Sequence, residues 1–226
     1  MGTVLIIGAS RGIGLEFVRQ YAADGARVIA TARDEMGLQR LRELGAIALK
    51  LDVAEPASVS GLAWQLDSEQ IDVVLYVAGV MSRPGADTPP TQPEFDRLMH
   101  TNVLGAMQTI PQVAPLVQAA NHGKGGKFVF ISSDMAQIGG VQSSYGWLYR
   151  ASKAALNMAV VTAQLDYPRA IMAVLSPGWV RTDMGGDTAP LTAHDSVAAM
   201  RRTITGLTDA DKGAFFRLDG SRFAGW

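Results

Sequence analysis

The sequence predicts a single α/β domain built on a doubly wound, mostly parallel sheet of seven strands, with helices on both faces. Short, nearly continuous apolar runs alternate with longer segments whose apolar residues recur at helical spacing. The connections between the runs are helical in pattern, which requires right-handed crossovers and covers both faces of the sheet. No linker is long enough to divide the chain, so we assign residues 1–226 to one domain.

Each predicted element follows from this alternation. The candidate strands are TVLIIG (3–8), ARVIAT (26–31), AIALKLDV (46–53), IDVVLYVAG (71–79), GKFVFIS (126–132), AIMAVLSPG (170–178) and GAFFRLDG (213–220). Between them lie segments with an apolar face of helical period. These candidate helices are Ile13–Ala23, Glu35–Leu44, Ala57–Leu66, Glu94–Ala119, Leu148–Leu165 and a segment around Ala193–Ile204.

Composition excludes several classes of function. The net charge is −1 and the isoelectric point is about 6.3, so no basic excess indicates binding to nucleic acid or to an acidic membrane surface. The absence of cysteine excludes disulfides, thiolate catalysis and zinc–thiolate sites, and the three histidines are not spaced as metal ligands. The first apolar run is too short to span a bilayer and has no basic leader. We expect a cytoplasmic protein without a metal, a nucleic-acid partner or a membrane partner.

A glycine-rich segment, GASRGIG (8–14), lies where the first strand meets the first helix. Glycines allow a tight turn and a close backbone approach, and a helix N-terminus offers N–H groups and a positive dipole end to phosphate. A glycine turn by itself is weak support, because a tight connection without a ligand has the same pattern. Its position at a strand-to-helix junction favours dinucleotide binding through Gly8, Ser10, Arg11, Gly12, Ile13 and Gly14.

The residues after the second and third strands bear on the choice between NADP and NAD. Arg33 follows the second strand, and together with Arg11 it can hold a 2′-phosphate through bidentate contacts. We therefore favour NADP(H). Asp34 keeps NAD(H) as the alternative, because a carboxylate at this strand end binds the ribose 2′-hydroxyl in NAD sites. Asp52, after the third strand, is placed either at the adenine rim or at the cap of the next turn.

Tyr149 and Lys153 are a candidate acid–base pair. Residues four apart share one face of a helix, and a nearby ammonium favours the phenolate form and lowers the pKa of a tyrosine. A tyrosine with a lowered pKa can act as a general acid or base. Tyr145 has no lysine at the same spacing, so Tyr149 is preferred.

Two further polar groups complete this pattern. Ser133 follows the fifth strand, where a hydroxyl can bind a substrate carbonyl oxygen, and Ser132, Ser143 and Ser144 are less favoured stand-ins. Asn102 lies within the predicted long helix, where an asparagine costs helix propensity without an obvious structural return. Each of these residues, taken alone, has an ordinary structural explanation, but no such explanation accounts for their combined order along the chain.

The sequence resembles the short-chain dehydrogenase/reductase family over essentially its whole length, and within it most resembles the small C-signal or Sniffer-like carbonyl reductase branch. The resemblance implies a single-domain Rossmann fold and NAD(P)-dependent carbonyl–alcohol chemistry on a small molecule. It also implies a homodimer or homotetramer formed through two long helices. The segments that carry it are GASRGIG (8–14), LDV (51–53), VAG (77–79), Asn102, ISS (131–133), YRASK (149–153) and PGWVRT (177–182).

The resemblance implies a role for each matching residue. Tyr149 exchanges the proton with the substrate, Lys153 lowers the Tyr149 pKa and binds the nicotinamide ribose, and Ser133 holds the substrate oxygen. Asn102 anchors a water that links Lys153 to solvent. The further implied cofactor contacts are Asp52, Val53, Ala78, Gly79, Pro177, Gly178, Val180 and Thr182.

Three departures from the family pattern leave other functions open. Ile7 stands where the family has threonine, and Tyr76-Val77 stands where it has two asparagines, which removes hydrogen bonds that brace the cofactor floor. Ser133 also lies sixteen residues before Tyr149, a longer spacing than is common in the family. The alternatives are a non-catalytic dinucleotide-binding regulatory or signalling protein, and a dehydratase or epimerase that uses the same Tyr–Lys pair.

Overall fold

The computed structural model describes residues 2–67 and 69–226 and has a seven-stranded sheet in the order β3-β2-β1-β4-β5-β6-β7. Every neighbouring pair of strands is parallel, so the predicted fold is confirmed and the sheet is wholly rather than mostly parallel. The strands are β1 (Thr3–Ile7), β2 (Arg27–Ala32), β3 (Ile47–Lys50), β4 (Val73–Tyr76), β5 (Lys127–Ile131), β6 (Ile171–Ser176) and β7 (Phe215–Arg217).

Eight α-helices connect the strands within these residues. They are α1 (Gly12–Ala23), α2 (Glu35–Glu43), α3 (Pro56–Ser60), α4 (Leu62–Gln65), α5 (Gln92–Met99), α6 (Gly105–Gly123), α7 (Trp147–Ala163) and α8 (Ala193–Gly206). The apolar side chains of α1, α2 and α8 pack on one face of the sheet, and those of α3, α4, α6 and α7 pack on the other. Two buried cores therefore cover the sheet, as a doubly wound topology requires.

Two predicted helices are interrupted in the structure. The segment 57–66 divides at Gly61 into α3 and α4. The segment 94–119 divides into α5 and α6, which are joined by a π-helical turn over His100–Leu104. π-Helical turns occur mostly as short insertions and are frequent at functional sites. This turn contains Asn102, so a predicted site residue lies where the helix departs from the regular α-helical geometry that the sequence predicted.

The strand register places the loops that follow β1 and β4 side by side. Ile7 of β1 is opposite Tyr76 of β4, and the chain order reverses between these two strands. Ligands of open α/β sheets bind outside the carboxyl ends of the strands at such a reversal. In the described part of the chain, no helix combines the length and the apolar character needed to cross a membrane.

Candidate active site

A cleft of about 430 Å³ opens above the carboxyl ends of β1 and β4. Its wall is built by loops from both halves of the sheet, which is the placement that the reversal of strand order predicts. Most residues that we assigned to the cofactor site lie in this wall. They are Gly8, Ser10, Arg11, Gly12, Ile13, Gly14, Arg33, Asp52, Val53, Ala78, Gly79, Tyr149, Lys153, Pro177 and Thr182.

The glycine loop has the close backbone approach that a phosphate site needs. Gly8 has a φ of +86°, and a Cβ at this position would lie 2.6 Å from the backbone of Ala78. A Cβ on Gly14 would lie 2.3 Å from the carbonyl oxygen of Gly8. The N–H groups of the first turn of α1 have no intrahelical partners, and Arg11, which precedes that turn, makes no side-chain cap. These donors suit an anionic phosphate group.

Thr31 braces the glycine loop from the neighbouring strand, a role that sequence analysis missed. Its hydroxyl accepts a hydrogen bond from the Gly8 N–H over 3.0 Å, and its carbonyl oxygen accepts one from the Ala9 N–H over 2.8 Å. The side chain of Ile7 is buried in the core. Thr31 therefore supports the loop although the residue before Gly8 is apolar, and only the pairing of β1 with β2 reveals this contact.

Asp34, which kept NAD open as an alternative, caps a helix in the structure. Its Oδ1 accepts a hydrogen bond from the Gly37 N–H over 2.7 Å, which makes Asp34 the N-cap of α2. Asp52 similarly accepts from the Ala54 N–H over 3.0 Å, while it also lies in the cleft wall. Asp52 therefore caps the turn that follows β3 and lines the cleft as well, whereas the Asp34 carboxylate is engaged by the backbone of its own helix.

The two predicted arginines occupy different surroundings. Arg33 is exposed at the end of β2 and lies in the cleft wall. Arg11 forms an exposed ion pair of 2.8 Å with Asp183, in the loop that follows β6. Arg40 of α2 also approaches the glycine loop, where its Nη1 donates to the Ser10 carbonyl oxygen over 3.0 Å. Arg33 therefore lies in the cleft wall at the end of β2, whereas Arg11 is already paired with a carboxylate.

Tyr149 and Lys153 lie on the buried face of α7 at the floor of the cleft. Lys153 Nζ is 5.8 Å from the centre of the Tyr149 ring and donates to the Ile131 carbonyl oxygen over 2.9 Å. Burial lowers the pKa of Lys153 to about 8. Burial also raises the pKa of Tyr149 to about 12, against the opposing effect of a hydrogen bond with Ser133, while Asp134 raises it further. The predicted fall in the Tyr149 pKa is wrong for this structure, because loss of hydration outweighs every favourable contact of the phenolate.

The two serines after β5 have separate partners. The Ser133 hydroxyl lies close enough to Tyr149 to lower the pKa of its phenol, and it accepts a hydrogen bond from the Met135 N–H over 3.1 Å. Ser132 is buried and donates to Asn157 Oδ1 over 2.7 Å, which links the end of β5 to α7. Ser133 rather than Ser132 is therefore the hydroxyl beside Tyr149.

Asn102 is fully buried, and its side chain already has protein partners. Its Oδ1 accepts from the Val80 N–H over 2.8 Å, and its Nδ2 donates to the Val80 carbonyl oxygen over 2.9 Å. The same Nδ2 lies 3.0 Å from Ser152 Oγ, which in turn donates to the Tyr149 carbonyl oxygen over 2.8 Å. Asn102 thus fastens the loop after β4 to α7.

Two predicted cofactor contacts lie outside the cleft wall. Val180 is buried and pairs with Leu191, so its side chain supports the loop after β6 from behind. Gly178 has a φ of +73° and allows the chain to turn between Pro177 and that bridge. In the described ranges there is no group of three or more acidic or histidine side chains that could hold a metal ion.

Comparison with known proteins agrees with this geometry. A sequence model described as short chain dehydrogenase matches residues 2–191. The C-signal protein of Myxococcus xanthus is 35% identical over 67% of this chain and 90% of its own length. The NADPH-bound carbonyl reductase from chicken fatty liver superposes with a TM-score of 0.89 at 28% identity, covering 98% of each chain. The carbonyl reductase Sniffer of Drosophila melanogaster has the same TM-score at 26% identity, covering 99% of each chain.

Proposed function

This chain belongs to the short-chain dehydrogenase/reductase family of NAD(P)-dependent oxidoreductases, and we propose that it is an NADP(H)-dependent carbonyl reductase that converts a ketone or aldehyde to an alcohol, or the reverse. The observation that carries the proposal is the arrangement at the floor of the cleft. The phenol of Tyr149 is buried there beside the Ser133 hydroxyl and the Lys153 ammonium. A non-catalytic nucleotide-binding protein has no use for a buried acid with a hydroxyl partner.

The protonated phenol of Tyr149 suits the direction of reduction. A phenol with a pKa of about 12 keeps its proton at neutral pH, so it is ready to donate that proton to a carbonyl oxygen as charge develops on it. Bound NADPH supplies the hydride for the carbonyl carbon. The phenolate that remains after proton donation is stabilised by the Lys153 ammonium near the Tyr149 ring.

Ser133 has the second role in this scheme. Its hydroxyl oxygen accepts a hydrogen bond from the Met135 N–H, which fixes its position beside Tyr149 before a substrate arrives. A fixed donor beside the developing oxyanion lowers the barrier without reorganisation during the reaction. Asn102 contributes by holding the main chain of Val80, which lies in the cleft wall, and its predicted role in anchoring a water that links Lys153 to solvent stays part of this proposal.

One feature of the cleft supports a dinucleotide of either kind, and two further features support NADP(H) over NAD(H). The glycine loop has room only for hydrogen at Gly8 and Gly14, which leaves its backbone able to approach a pyrophosphate. Arg33 lies exposed in the cleft wall at the end of β2, where it can bind a 2′-phosphate. Asp34 is engaged by the α2 N-terminus and is therefore less able to bind a ribose 2′-hydroxyl.

Assembly and cellular location belong to the same proposal. Met107 of α6 and Met158 of α7 are more than half exposed, and apolar side chains on these two long helices suit a homodimer or homotetramer. Light scattering at micromolar concentration tests this, and a monomeric mass contradicts it. We place the protein in the cytoplasm, where fractionation of the source cells should recover it; recovery with membranes contradicts that placement.

The function is tested by a panel of ketones and aldehydes followed at the NADPH absorbance band, with NADH run in parallel. We expect turnover with NADPH that is lost in Tyr149→Phe, while NADPH binding by fluorescence is retained. Tyr145→Phe is the matched control and keeps its activity, because Tyr145 is about half exposed and has no lysine one turn away. Turnover that survives in Tyr149→Phe assigns the acid elsewhere, and preference for NADH contradicts the role of Arg33.

A further inference from the structure

A buried hydrogen bond joins the end of β4 to the π-helical turn that carries Asn102. The Tyr76 hydroxyl donates to the carbonyl oxygen of Thr101 over 3.1 Å, and the Tyr76 side chain is fully buried. Tyr76 occupies a position where the family has an asparagine, and the loss of that asparagine is expected to remove hydrogen bonds that support the cofactor site. The structure instead shows a new hydrogen bond from this position to a neighbouring element.

The π-helical turn provides a reason for this hydrogen bond. A π-helical insertion changes the hydrogen-bonding register of the helix, so carbonyl groups near it need other partners when they are buried. Thr101 is buried, and the Tyr76 hydroxyl gives its carbonyl oxygen a donor. Burial raises the pKa of Tyr76 well above its ordinary value, so this hydroxyl stays protonated.

Gly105 makes room for the tyrosine at the start of α6. A Cβ on Gly105 would lie 2.7 Å from Tyr76 Oη and 2.6 Å from the carbonyl oxygen of Val53. Any side chain at residue 105 would therefore push the hydroxyl away from the turn. The tyrosine and the glycine form a matched pair, one filling the space that the other leaves.

The turn that Tyr76 contacts leads directly to the proposed acid. Asn102 follows Thr101 and is 3.0 Å from Ser152 Oγ through its Nδ2. Ser152 Oγ donates to the carbonyl oxygen of Tyr149 over 2.8 Å. All of these groups are buried, so a shift of the turn cannot be absorbed by water.

We propose that Tyr76 is a positioning residue for the reaction. Its hydroxyl binds the Thr101 carbonyl oxygen across the space left by Gly105, and this hydrogen bond fixes the π-helical turn. The fixed turn holds Asn102, and through Asn102 the main chain of Val80 in the cleft wall and the main chain of Tyr149. Tyr76 itself lies outside the cleft wall, so this is action through other residues. The inference rests on the proposed function for its kinetic consequence. Its structural part, the hold on the turn, is independent of turnover.

The test uses Tyr76→Phe, which removes only the hydroxyl. In the protein without cofactor, we expect amide hydrogen exchange across residues 99–106 to accelerate about tenfold, the effect of losing one ordinary hydrogen bond. With NADPH and a carbonyl that the wild type reduces, we expect kcat to fall by about tenfold while the NADPH dissociation constant stays within about twofold. Gly105→Ala displaces the hydroxyl from the other side and also meets the Val53 carbonyl oxygen, so it should accelerate the same exchange and lower kcat.

Phe130→Leu is the matched control, because the Phe130 ring stacks on Tyr76 at 5.8 Å but makes no hydrogen bond to the turn. It should lower the melting temperature without accelerating exchange selectively in residues 99–106 and without lowering kcat. Unchanged exchange and kcat in Tyr76→Phe overturn the inference, and so does a loss of kcat that merely follows melting temperature in all three variants. Absence of turnover in the wild type contradicts the proposed function alone, because the exchange measurement still decides whether Tyr76 holds the turn.

Discussion

Lys153 Nζ donates a hydrogen bond of 2.9 Å to the carbonyl oxygen of Ile131, the last residue of β5. This contact brings an ammonium from α7 to the end of a central strand, where the side chain is 4% exposed. One neutral acceptor does not replace the lost hydration, so burial lowers the pKa of Lys153 to about 8. The charge state of this residue therefore changes close to physiological pH.

The first prediction concerns stability against pH. The folded-state pKa of Lys153 is about 8 against 10.5 for the free group, so the folded chain binds fewer protons than the unfolded chain between these values. Stability should therefore rise with pH across this window, by roughly 2 kcal/mol between pH 8 and pH 10. Urea unfolding of the wild type and of Lys153→Met measures the difference, because the variant lacks this titration.

Tyr149 supplies an opposite effect at higher pH. Its pKa is raised from 10.0 to about 12, so the folded chain holds this proton longer than the unfolded chain does. The stabilising effect is complete below pH 10 and is lost as pH rises towards 12. Identical pH dependence in the wild type and in Lys153→Met between pH 8 and pH 10 contradicts a buried Lys153 with a lowered pKa.

The second prediction separates the structural role of Asp34 from a role in cofactor choice. Asp34→Ala removes the N-cap of α2 and should lower the free energy of unfolding by about 1 kcal/mol. Asp34→Asn is the control, because asparagine also caps helices and should largely preserve stability. Neither change should alter the ratio of the NADPH and NADH dissociation constants by more than about twofold. A shift of that ratio in both variants shows that the carboxylate contacts the ribose.

The third prediction concerns the exposed arginines. Arg33→Ala should raise the NADPH dissociation constant roughly 10- to 100-fold and leave that of NADH nearly unchanged, because it removes a charge-assisted contact to the 2′-phosphate alone. Arg42→Ala is the control, because Arg42 is an exposed arginine of α2 that pairs with Glu35. Arg11→Ala should have a smaller effect than Arg33→Ala, since Arg11 is already paired with Asp183. Equal losses for NADPH and NADH in Arg33→Ala count against a 2′-phosphate site.

The fourth prediction distinguishes Ser133 from Ser132. Ser133→Ala removes the hydroxyl beside Tyr149 and should lower kcat by roughly 100-fold. Because it also removes the acceptor of the Met135 N–H, it should lower the free energy of unfolding by about 1 kcal/mol. Ser132→Ala leaves the buried Asn157 Oδ1 without its donor and should lower the free energy of unfolding by about 1–3 kcal/mol. Thermal unfolding and steady-state kinetics on both variants separate these effects. The reverse pattern makes Ser132 the substrate-binding hydroxyl.

Much of the fold could be read from the chain because its signals are local. The seven apolar runs and the helical segments between them depend on residues within a few positions of each other, and all seven strands form. Gly8 and Gly14 were also predictable, since a tight strand-to-helix turn restricts the residue types that fit. The division of the predicted helix 94–119 was not, because a π-helical turn depends on buried partners from other elements.

The sequence by itself determined the order of the elements, the phosphate loop and the spacing of Tyr149 and Lys153, because each is a short-range pattern. Tertiary structure alone decided what the polar groups contact. In the folded chain Asp34 caps a helix, and the Thr31 hydroxyl supports Gly8 by accepting its N–H. Tyr76 donates a hydrogen bond to the turn that carries Asn102. It also reversed the expected shift of the Tyr149 pKa, because a pKa depends on hydration, and burial is a property of the whole packed domain.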